Sequence, residues 1–300
     1  MGRETMAVRA QEIAVYLGKD LNGMDRDVIK PCSLNNCIEG GLVFLKKYNE
    51  SILSILSEHK NITAIVTPEY HGKISCSYVI SDNPRLDFAR VLQKFFTPKA
   101  LPGIADTARI GRNVSLGKDV TIGEYSVIGN DVVIGDSTEI RHHVVIADNT
   151  VIGRDCLIKS NTVIGEEGFG FERDEMGVPI RIPHLGKVII GNNVEIGAST
   201  VIARGTLDNN VIGDNVKIDD QVFIAHNVFV GQSSMIIAEA EISGSAHIGE
   251  MTWLGPNCSV MNGITIGSNC FIGLGTVVTK SLPDNVIAAG CPARILKYND

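Results

Sequence analysis

His226 is the residue whose type and neighbours best suit proton transfer, because histidine titrates near neutral pH. Gly244 follows it by eighteen residues, and Asp219 precedes it by seven, where a carboxylate would orient the imidazole or favour its protonated form. A histidine base beside a sterically open backbone N–H suits acyl transfer. The base takes a proton from an attacking amine or hydroxyl, and the N–H stabilises the oxyanion of the tetrahedral intermediate. On these residues alone, a solvent-facing histidine at a corner is the alternative.

A repeat of aliphatic residues at every sixth position connects His226 with Gly244. The repeat occupies residues 104–164, 190–202 and 212–278. Neither a helix nor an ordinary strand has a period of six. A solenoid whose coil has three flat faces of about six residues has this period, since each aliphatic side chain then points inward and stacks on the one eighteen positions earlier. The sequence therefore predicts a parallel β-helix in which Gly244 lies directly above His226.

Two interruptions of the repeat predict loops on the solenoid. A long loop must leave near 165–186, and four extra residues must bulge near 204–210, because the spacing of the repeat grows there from 6 to 26 and to 10 residues. Loops on a rigid scaffold commonly hold ligands. Either loop taken alone is also consistent with a plain surface excursion. His184 lies in the long loop, and we expect it to contact a substrate.

A zinc-dependent reaction is the other chemistry that such a solenoid can hold. It needs three histidines that converge from stacked coils and a neighbouring subunit. His226 and His247 differ by 21 positions, which is not a multiple of 18, and no close pair of histidines spans the required distance. The sequence therefore predicts no metal site.

The first hundred residues lie outside the repeat and mix helical and β-like patterns. These patterns occupy 6–18, 42–57, 63–66, 75–80 and the residues from Pro84 onward. Pro98 and Pro102 mark a linker into the solenoid. We therefore predict a mainly β protein with a small N-terminal α/β domain over 1–100, a β-helix over 101–280 and a short C-terminal tail over 281–300.

The composition limits the classes of partner. A net charge of −7 argues against a broad nucleic-acid or anionic-membrane surface, while a local basic pocket for one phosphorylated ligand stays open. Seven cysteines without a CxxC motif or a paired framework indicate a reducing compartment. No apolar run approaches the length that spans a bilayer, and the start of the chain shows no signal peptide. We therefore expect a soluble cytoplasmic protein.

Several short motifs occur in the order that one enzyme family shows. They are GFGF at 168–171, IPHLG at 182–186, VEIG at 194–197, RG at 204–205, IDDQ at 218–221 and IAHN at 224–227. On these motifs the solenoid resembles the UDP-3-O-acylglucosamine N-acyltransferases of lipid A biosynthesis, which make part of lipopolysaccharide and belong to the hexapeptide-repeat acyltransferases. In the front domain, Phe44-Leu45, Lys47-Tyr48 and Pro84 before Phe88-Ala89 are similar to that family's uridine-binding domain. The resemblance covers roughly residues 8–250.

The resemblance implies a hand for the solenoid and roles for individual residues. The solenoid is expected to be left-handed, although connections between parallel strands are otherwise almost always right-handed. His226 is expected to be the general base, with Asp219 as its partner and the Gly244 N–H as the oxyanion donor. Phe44 and Tyr48 are candidates to stack on uracil. The remaining expected substrate contacts are Phe169, Phe171, His184 and Asn227.

The chain departs from the family pattern at several places. The segment between Phe44 and Tyr48 is shorter, and Ala203 replaces an acidic residue. Ile264 stands where a second active-site histidine is expected. The C-terminal helical extension that helps to bind acyl carrier protein is missing. The residues from Val277 onward instead resemble the acetyl-CoA-dependent sugar N-acetyltransferases, such as those that make bacillosamine-type sugars.

We therefore expect a homotrimeric N-acyltransferase that moves an acyl group from a thioester to the amine of a UDP-linked amino sugar. The family implies active sites between subunits and a phosphopantetheine thioester as co-substrate, with no bound cofactor. The front two-thirds favour acyl carrier protein as the donor, whereas the tail favours acyl-CoA. One alternative is therefore a short-chain, acetyl-CoA-dependent sugar N-acetyltransferase. Another is a non-catalytic UDP-sugar-binding scaffold, which the missing second histidine would fit and the retained His226 and Gly244 argue against.

Overall fold

The computed structural model describes residues 7–59, 61–98 and 100–298, and the chain separates into two compact units, residues 1–99 and 100–300. The first unit is a small α/β domain. Its elements are β1 (Val8–Arg9), α1 (Ala10–Tyr16), β2 (Leu21–Asn22), β3 (Asp27–Val28), β4 (Lys30–Pro31), β5 (Gly41–Leu45), α2 (Ser51–Glu58), β6 (Thr63–Val66), β7 (Ser77–Ile80) and α3 (Pro84–Val91), which continues as a π-helical segment over Leu92–Phe96.

A five-stranded sheet in the order β2, β7, β6, β5, β4 forms the centre of this unit. Strands β4 to β7 run parallel, and β2 pairs with β7 in the antiparallel sense. Successive residues of a strand point to opposite faces of the sheet. Accordingly, Leu42 of β5 packs in a cluster with Ile13, whereas Val43 packs in a second cluster with Leu56. The sheet therefore separates two small hydrophobic cores.

Local signals in the sequence set the helix ends in this unit. Helix α1 ends just before Gly18, which adopts φ +67°, a conformation that favours glycine after a helix. Helix α3 begins at Pro84, and the Asn83 side chain accepts the Leu86 N–H at 3.2 Å. The apolar stripe over 42–57 is not one element, because it divides into strand β5 and helix α2. Both elements are apolar on their buried side, so the stripe alone does not separate them.

The second unit is a parallel β-helix of three sheets. The first sheet contains β8 (Gly103–Ile104), β11 (Thr121–Ile122), β14 (Glu139–Ile140), β17 (Leu157–Ile158), β22 (Glu195–Ile196), β25 (Lys217–Ile218), β28 (Met235–Ile236), β31 (Trp253–Leu254), β34 (Phe271–Ile272), β36 (Val286–Ala289) and β37 (Arg294–Tyr298). The second contains β9 (Arg109–Ile110), β12 (Val127–Ile128), β15 (Val145–Ile146), β18 (Val163–Ile164), β23 (Val201–Ile202), β26 (Phe223–Ile224), β29 (Glu241–Ile242), β32 (Ser259–Val260) and β35 (Val277–Val278). The third contains β10 (Ser115–Leu116), β13 (Val133–Ile134), β16 (Val151–Ile152), β21 (Val188–Ile190), β24 (Asn210–Ile212), β27 (Phe229–Val230), β30 (His247–Ile248) and β33 (Thr265–Ile266).

The register of these sheets is the eighteen-residue period read from the sequence. Ile122 pairs with Ile140, and Ile140 pairs with Ile158 one coil further on. The second residue of each two-residue strand points inward, so Ile134 is 1% exposed while its neighbour Val133 is 42% exposed. Each fully buried aliphatic side chain stabilises the fold by roughly 1.5–3 kcal/mol. The inward columns are therefore the main source of the solenoid's stability.

Both predicted interruptions of the solenoid are present. The long loop leaves after β18 and returns at β21, and part of it forms an antiparallel hairpin of β19 (Phe171–Arg173) with β20 (Pro179–Arg181). The shorter bulge lies between β23 and β24. At the C-terminal end β36 pairs with β34, and β37 folds back on β36 in the antiparallel sense. The last strand thus covers what would otherwise be a free sheet edge.

Candidate active site

His226 and Gly244 lie on adjacent coils, as the period predicts. Ile224 of β26 pairs with Ile242 of β29, and the Ser245 N–H donates to the His226 carbonyl oxygen at 2.8 Å. A Cβ added to Gly244 would stand 2.6 Å from Cε1 and 2.7 Å from Nε2 of His226. The imidazole therefore lies directly over the Gly244 α-carbon, in space that only glycine leaves free.

The Gly244 N–H differs from several other backbone N–H groups at the corners of the coil. At those corners the backbone N–H donates to the side chain of the residue eighteen positions later, as the Asn130 N–H does to the Asp148 carboxylate at 2.7 Å. One coil beyond Gly244 stands Asn262, whose side chain accepts no hydrogen bond from the Gly244 N–H. Among the described residues, the Gly244 N–H makes no hydrogen bond. A free donor beside an imidazole is the pair of groups that oxyanion stabilisation requires.

Thr206 lies beside Nδ1 of the His226 ring, and Asn227 holds Thr206 in place. Thr206 lies in the bulge between β23 and β24, and its Oγ1 is 3.4 Å from His226 Nδ1. Asn227 accepts the Thr206 N–H at 2.7 Å, and its Nδ2 donates to Thr206 Oγ1 at 3.3 Å. The Asn227 amide is thus engaged within the chain at both ends. Its expected contact with substrate stays a prediction.

His184 lies against His226 from the long loop. The two rings meet edge to face with centroids 5.1 Å apart. His184 is 2% exposed, its Nδ1 donates to the Ile182 carbonyl oxygen at 3.1 Å, and its Nε2 is buried without a partner. Because a carbonyl only accepts, Nδ1 carries a proton. The structure brings His184 to the same site as His226, and its expected contact with a substrate stays a prediction.

Two glycines of the GFGF motif let the chain cross the His184 ring. An added Cβ would stand 3.0 Å from His184 Nε2 at Gly168 and 2.9 Å from its Cε1 at Gly170. At Gly168 it would also lie 3.4 Å from the His226 Cβ. These glycines therefore allow the loop to pass close to the His184 ring and to the His226 Cβ.

Burial is the larger cause that lowers the pKa of the His226 imidazole below its ordinary value of 6.5, and the electrostatic effect of His184 is the smaller. Desolvation disfavours the charged form of a histidine. The neutral ring is the form that accepts a proton. The environment therefore keeps His226 in the state that a general base needs.

Asp219 lies at a different corner of the coil from His226. It follows β25 of the first sheet, whereas His226 follows β26 of the second. Its carboxylate accepts the N–H groups of Asp220 at 2.9 Å and Ala238 at 3.3 Å. Within the described part of one chain, no hydrogen bond joins it to His226. Its role as partner of the histidine stays a prediction.

Phe169 and Phe171 form an aromatic pair on the hairpin of the long loop. Their ring centroids are 4.7 Å apart, and the Arg181 guanidinium lies 5.0 Å from the Phe171 centroid. Phe169 is 85% exposed. A cavity of about 420 Å³ opens here, and it is lined by Phe169, Phe171, Glu172, Arg173 and Pro179. The pair is open to a ligand, as its predicted role in substrate binding requires.

Arg204 and Asn210, which the sequence analysis did not single out as site residues, tie the bulge to the solenoid. The buried Asn210 amide donates to the carbonyl oxygens of Ala203 and Ala225, both at 2.7 Å. Arg204 donates to Gly165 O at 2.6 Å and to Asp148 O at 3.2 Å. Ala225 directly precedes His226, so Asn210 supports the backbone that carries the imidazole. The four-residue break in the repeat was the available signal for these residues.

Phe44 and Tyr48, the expected uracil contacts, lie in the first unit in different clusters. Phe44 packs on Phe88 with centroids 4.8 Å apart, in the cluster that contains Leu42. Tyr48 packs on Tyr70 with centroids 5.0 Å apart, in the other cluster. Their joint contact with one uracil ring stays a prediction.

Over residues 7–59, 61–98 and 100–298, no three His, Cys, Asp or Glu side chains form a group that could hold a metal ion. None of the helices in those ranges has the length and apolarity to cross a bilayer.

Comparison with known proteins defines the class of the fold and site. The bacterial transferase hexapeptide (six repeats) family matches residues 102–136, 131–166 and 245–280. A UDP-N-acetylglucosamine O-acyltransferase structure from Moraxella catarrhalis is 26% identical, with a TM-score of 0.59 over 66% of this chain and 75% of that chain. A UDP-N-acetylglucosamine acyltransferase structure from Francisella novicida is also 26% identical, with a TM-score of 0.61 over 66% and 71%. The predicted fold, a left-handed β-helix of the hexapeptide acyltransferase class, is confirmed.

Curated relatives narrow this class to one family. The UDP-3-O-acylglucosamine N-acyltransferase of Campylobacter lari is 36% identical over 305 residues, which cover 97% of this chain and 94% of the relative. That of Oleidesulfovibrio alaskensis is 40% identical over 259 residues, covering 80% and 75%. That of Aromatoleum aromaticum is 44% identical over 222 residues, covering 68% and 66%. The chain belongs to the UDP-3-O-acylglucosamine N-acyltransferase family and is an acyltransferase enzyme, so the resemblance drawn from the motifs is confirmed.

Proposed function

We propose that this protein transfers an acyl group from a thioester to the amine of a UDP-linked amino sugar, in the lipid A pathway that its relatives' names indicate. The observation that carries the proposal is the His226 ring lying over Gly244, with Nε2 2.7 Å from the position of a Cβ there, together with a Gly244 N–H that has no partner in the described chain. A base and an oxyanion donor are thus adjacent at one corner. The family names supply the acceptor.

The reaction follows from these two groups. The sugar amine attacks the thioester carbonyl carbon, and the new C–N bond forms as His226 Nε2 takes a proton from the nitrogen. The Gly244 N–H stabilises the oxyanion of the tetrahedral intermediate. The C–S bond then breaks, and the departing sulfur receives the proton from the imidazolium. Each of these two groups is worth roughly 10²-fold or more in rate.

The acyl donor is a phosphopantetheine thioester that acts as co-substrate. The family membership supports acyl carrier protein, whereas the residues from Val277 onward, which resemble acetyl-CoA-dependent sugar N-acetyltransferases, support acyl-CoA. Strand β36 pairs with β34 of the last coil, and β37 pairs with β36. We favour acyl-CoA as the donor. With this donor the protein would be the short-chain sugar N-acetyltransferase given above as an alternative.

The proposed assembly is a homotrimer with active sites between subunits. Asp219 and His226 occupy different corners of one coil, and the family resemblance makes Asp219 the partner of the histidine, so the proposed pair joins Asp219 of one subunit with His226 of a neighbour. Asp219→Ala and His226→Ala should each be inactive, and refolding an equal mixture should restore roughly a quarter of the sites by random assortment. No recovery from a mixture of two inactive, trimeric variants would place Asp219 and His226 in one subunit, whereas full activity of Asp219→Ala alone would give Asp219 no catalytic part.

The cytoplasm is the proposed location. The seven cysteines are free thiols, which is the state that a reducing cytosol maintains. Labelling these thiols in intact and lysed cells tests the location.

The direct test of function uses purified protein with UDP-linked amino sugars and either acetyl-CoA, longer acyl-CoA or acyl carrier protein thioesters. We expect an N-acylated product with one donor class and its loss in His226→Ala. His247→Ala is the matched control, since His247 stacks on Phe229 at 4.4 Å on another part of the coil. Tight binding of the UDP-sugar without turnover by any donor would overturn the enzyme function and support a binding scaffold.

A further inference from the structure

Thr206 lies next to the imidazole at a position fixed by its backbone. Its N–H donates to Asn227 Oδ1 at 2.7 Å, and its carbonyl oxygen accepts the N–H groups of Leu185 at 2.7 Å and Gly186 at 3.2 Å. The contacts come from two different segments of the chain. The bulge therefore presents the Thr206 hydroxyl at a defined place.

The hydrogen-bond directions around Thr206 Oγ1 can be assigned. Asn227 Oδ1 accepts the Thr206 N–H, so the other end of that amide is Nδ2, which donates to Oγ1. The backbone N–H of Thr206, which can only donate, therefore determines the orientation of the Asn227 amide. Oγ1 keeps one lone pair and one proton, and His226 Nδ1 is 3.4 Å away.

Only one of the two remaining arrangements leaves His226 able to act as a base. If Thr206 donated to Nδ1, the neutral ring would carry its proton on Nε2 and have no free lone pair. If Nδ1 donates to Thr206, the lone pair stands on Nε2, on the side of Gly244. The second arrangement also keeps an acceptor for Nδ1–H when the ring becomes an imidazolium.

We propose that Thr206 is a positioning residue that accepts the Nδ1–H of His226, and so sets the orientation and tautomer of the imidazole. This inference rests on the proposed function. The Thr206 contact lies within one chain, distinct from the carboxylate of Asp219 that the proposed assembly brings from a neighbouring subunit.

The test compares Thr206→Val, which has the same shape without the hydroxyl, with Thr206→Ser, which retains it. Proteins labelled with ¹⁵N-histidine are studied by long-range ¹H–¹⁵N spectra, and His226→Gln assigns the His226 signals. We expect the wild type and Thr206→Ser to carry the neutral proton on Nδ1. We expect Thr206→Val to move toward the Nε2–H form.

Activity gives a second readout. By analogy with partners that orient metal-bound histidines, Thr206→Val should lose about 10–100-fold in kcat with little change in KM, and Thr206→Ser should recover most of it. Thr162→Val is the matched control, because the Thr162 hydroxyl donates to Gly197 O at 2.7 Å in the buried solenoid. It should alter thermal unfolding but neither kcat nor the His226 spectrum.

Two results would overturn the positioning role. One is a wild-type His226 protonated on Nε2, and the other is a Thr206→Val protein with an unchanged tautomer. The spectra are recorded without substrate, so they test Thr206 even when the wild type proves inactive with every donor. Inactivity of the wild type would refute the proposed reaction and leave the spectroscopic result standing.

Discussion

The imidazole of His226 occupies the space where a side chain at residue 244 would lie, with Nε2 2.7 Å from the position of a Cβ there. One glycine therefore meets two needs. It makes room for the ring, and it leaves its own N–H beside that ring without a partner in the described chain. The stacking follows from the register of β26 on β29, which places residue 244 on residue 226.

Gly244→Ala should lower kcat by about 10²-fold or more, because the methyl group must push the imidazole away from the oxyanion donor. Steady-state kinetics with the active donor measures this change. Ser243→Ala is the control at the adjacent residue, since the Ser243 hydroxyl bonds the Glu241 carboxylate at 2.8 Å and not His226. Equal activities of Gly244→Ala and Ser243→Ala would refute the packing argument.

The pH dependence of kcat/KM should report the lowered pKa of His226. The neutral ring is the base, so activity is full above the folded pKa and falls as pH drops through it, with a midpoint below 6.5. His184→Gln removes the smaller of the two causes, and the midpoint should rise without passing 6.5. Rates from about pH 5 to 8 measure both. A wild-type midpoint above 6.5 would contradict the environment described for His226.

The same pKa shift has a defined effect on stability. The unfolded histidine binds a proton at higher pH than the folded one, so the unfolded state gains protons first as the solution is acidified. The contribution of neutral His226 is therefore complete above 6.5 and is lost as pH falls through the lower, folded pKa. Chemical denaturation of the wild type and His226→Gln over this range should show a weaker acid dependence in the variant.

The period of six explains which features of the site were predictable. His226 and Gly244 are separated by one full coil, so their contact follows from counting. Asp219 precedes His226 by seven residues, which is more than one face, and this count already assigns the two residues to different corners. Thr206 and Asn210 lie in residues added to the repeat, where no period applies. Their positions depend on tertiary hydrogen bonds, which a pattern of aliphatic residues does not encode.

Two neighbouring residues of β13 offer a direct test of the inward and outward faces. Ile134→Ala should lower the free energy of unfolding by about 2–5 kcal/mol, because it leaves a cavity in an inward column at a residue that is 1% exposed. Val133→Ala, at a position that is 42% exposed, should change it by about 0.5 kcal/mol or less. Urea unfolding followed by circular dichroism measures the pair. Similar losses from both variants would be incompatible with the register described for this sheet.

Asn210→Ala should reduce both stability and activity, because it removes two buried hydrogen bonds that connect Ala203 with the residue before His226. We expect a loss of about 1–3 kcal/mol in the free energy of unfolding. Thr276→Val is the control, since it removes the bond from the Thr276 hydroxyl to Gly273 O at 2.6 Å in a later coil. Both variants should be less stable in urea, and only Asn210→Ala should lose kcat at a temperature where both are folded. Wild-type kcat in Asn210→Ala would mean that the imidazole is held by its stacking on Gly244 and its contact with Thr206 alone.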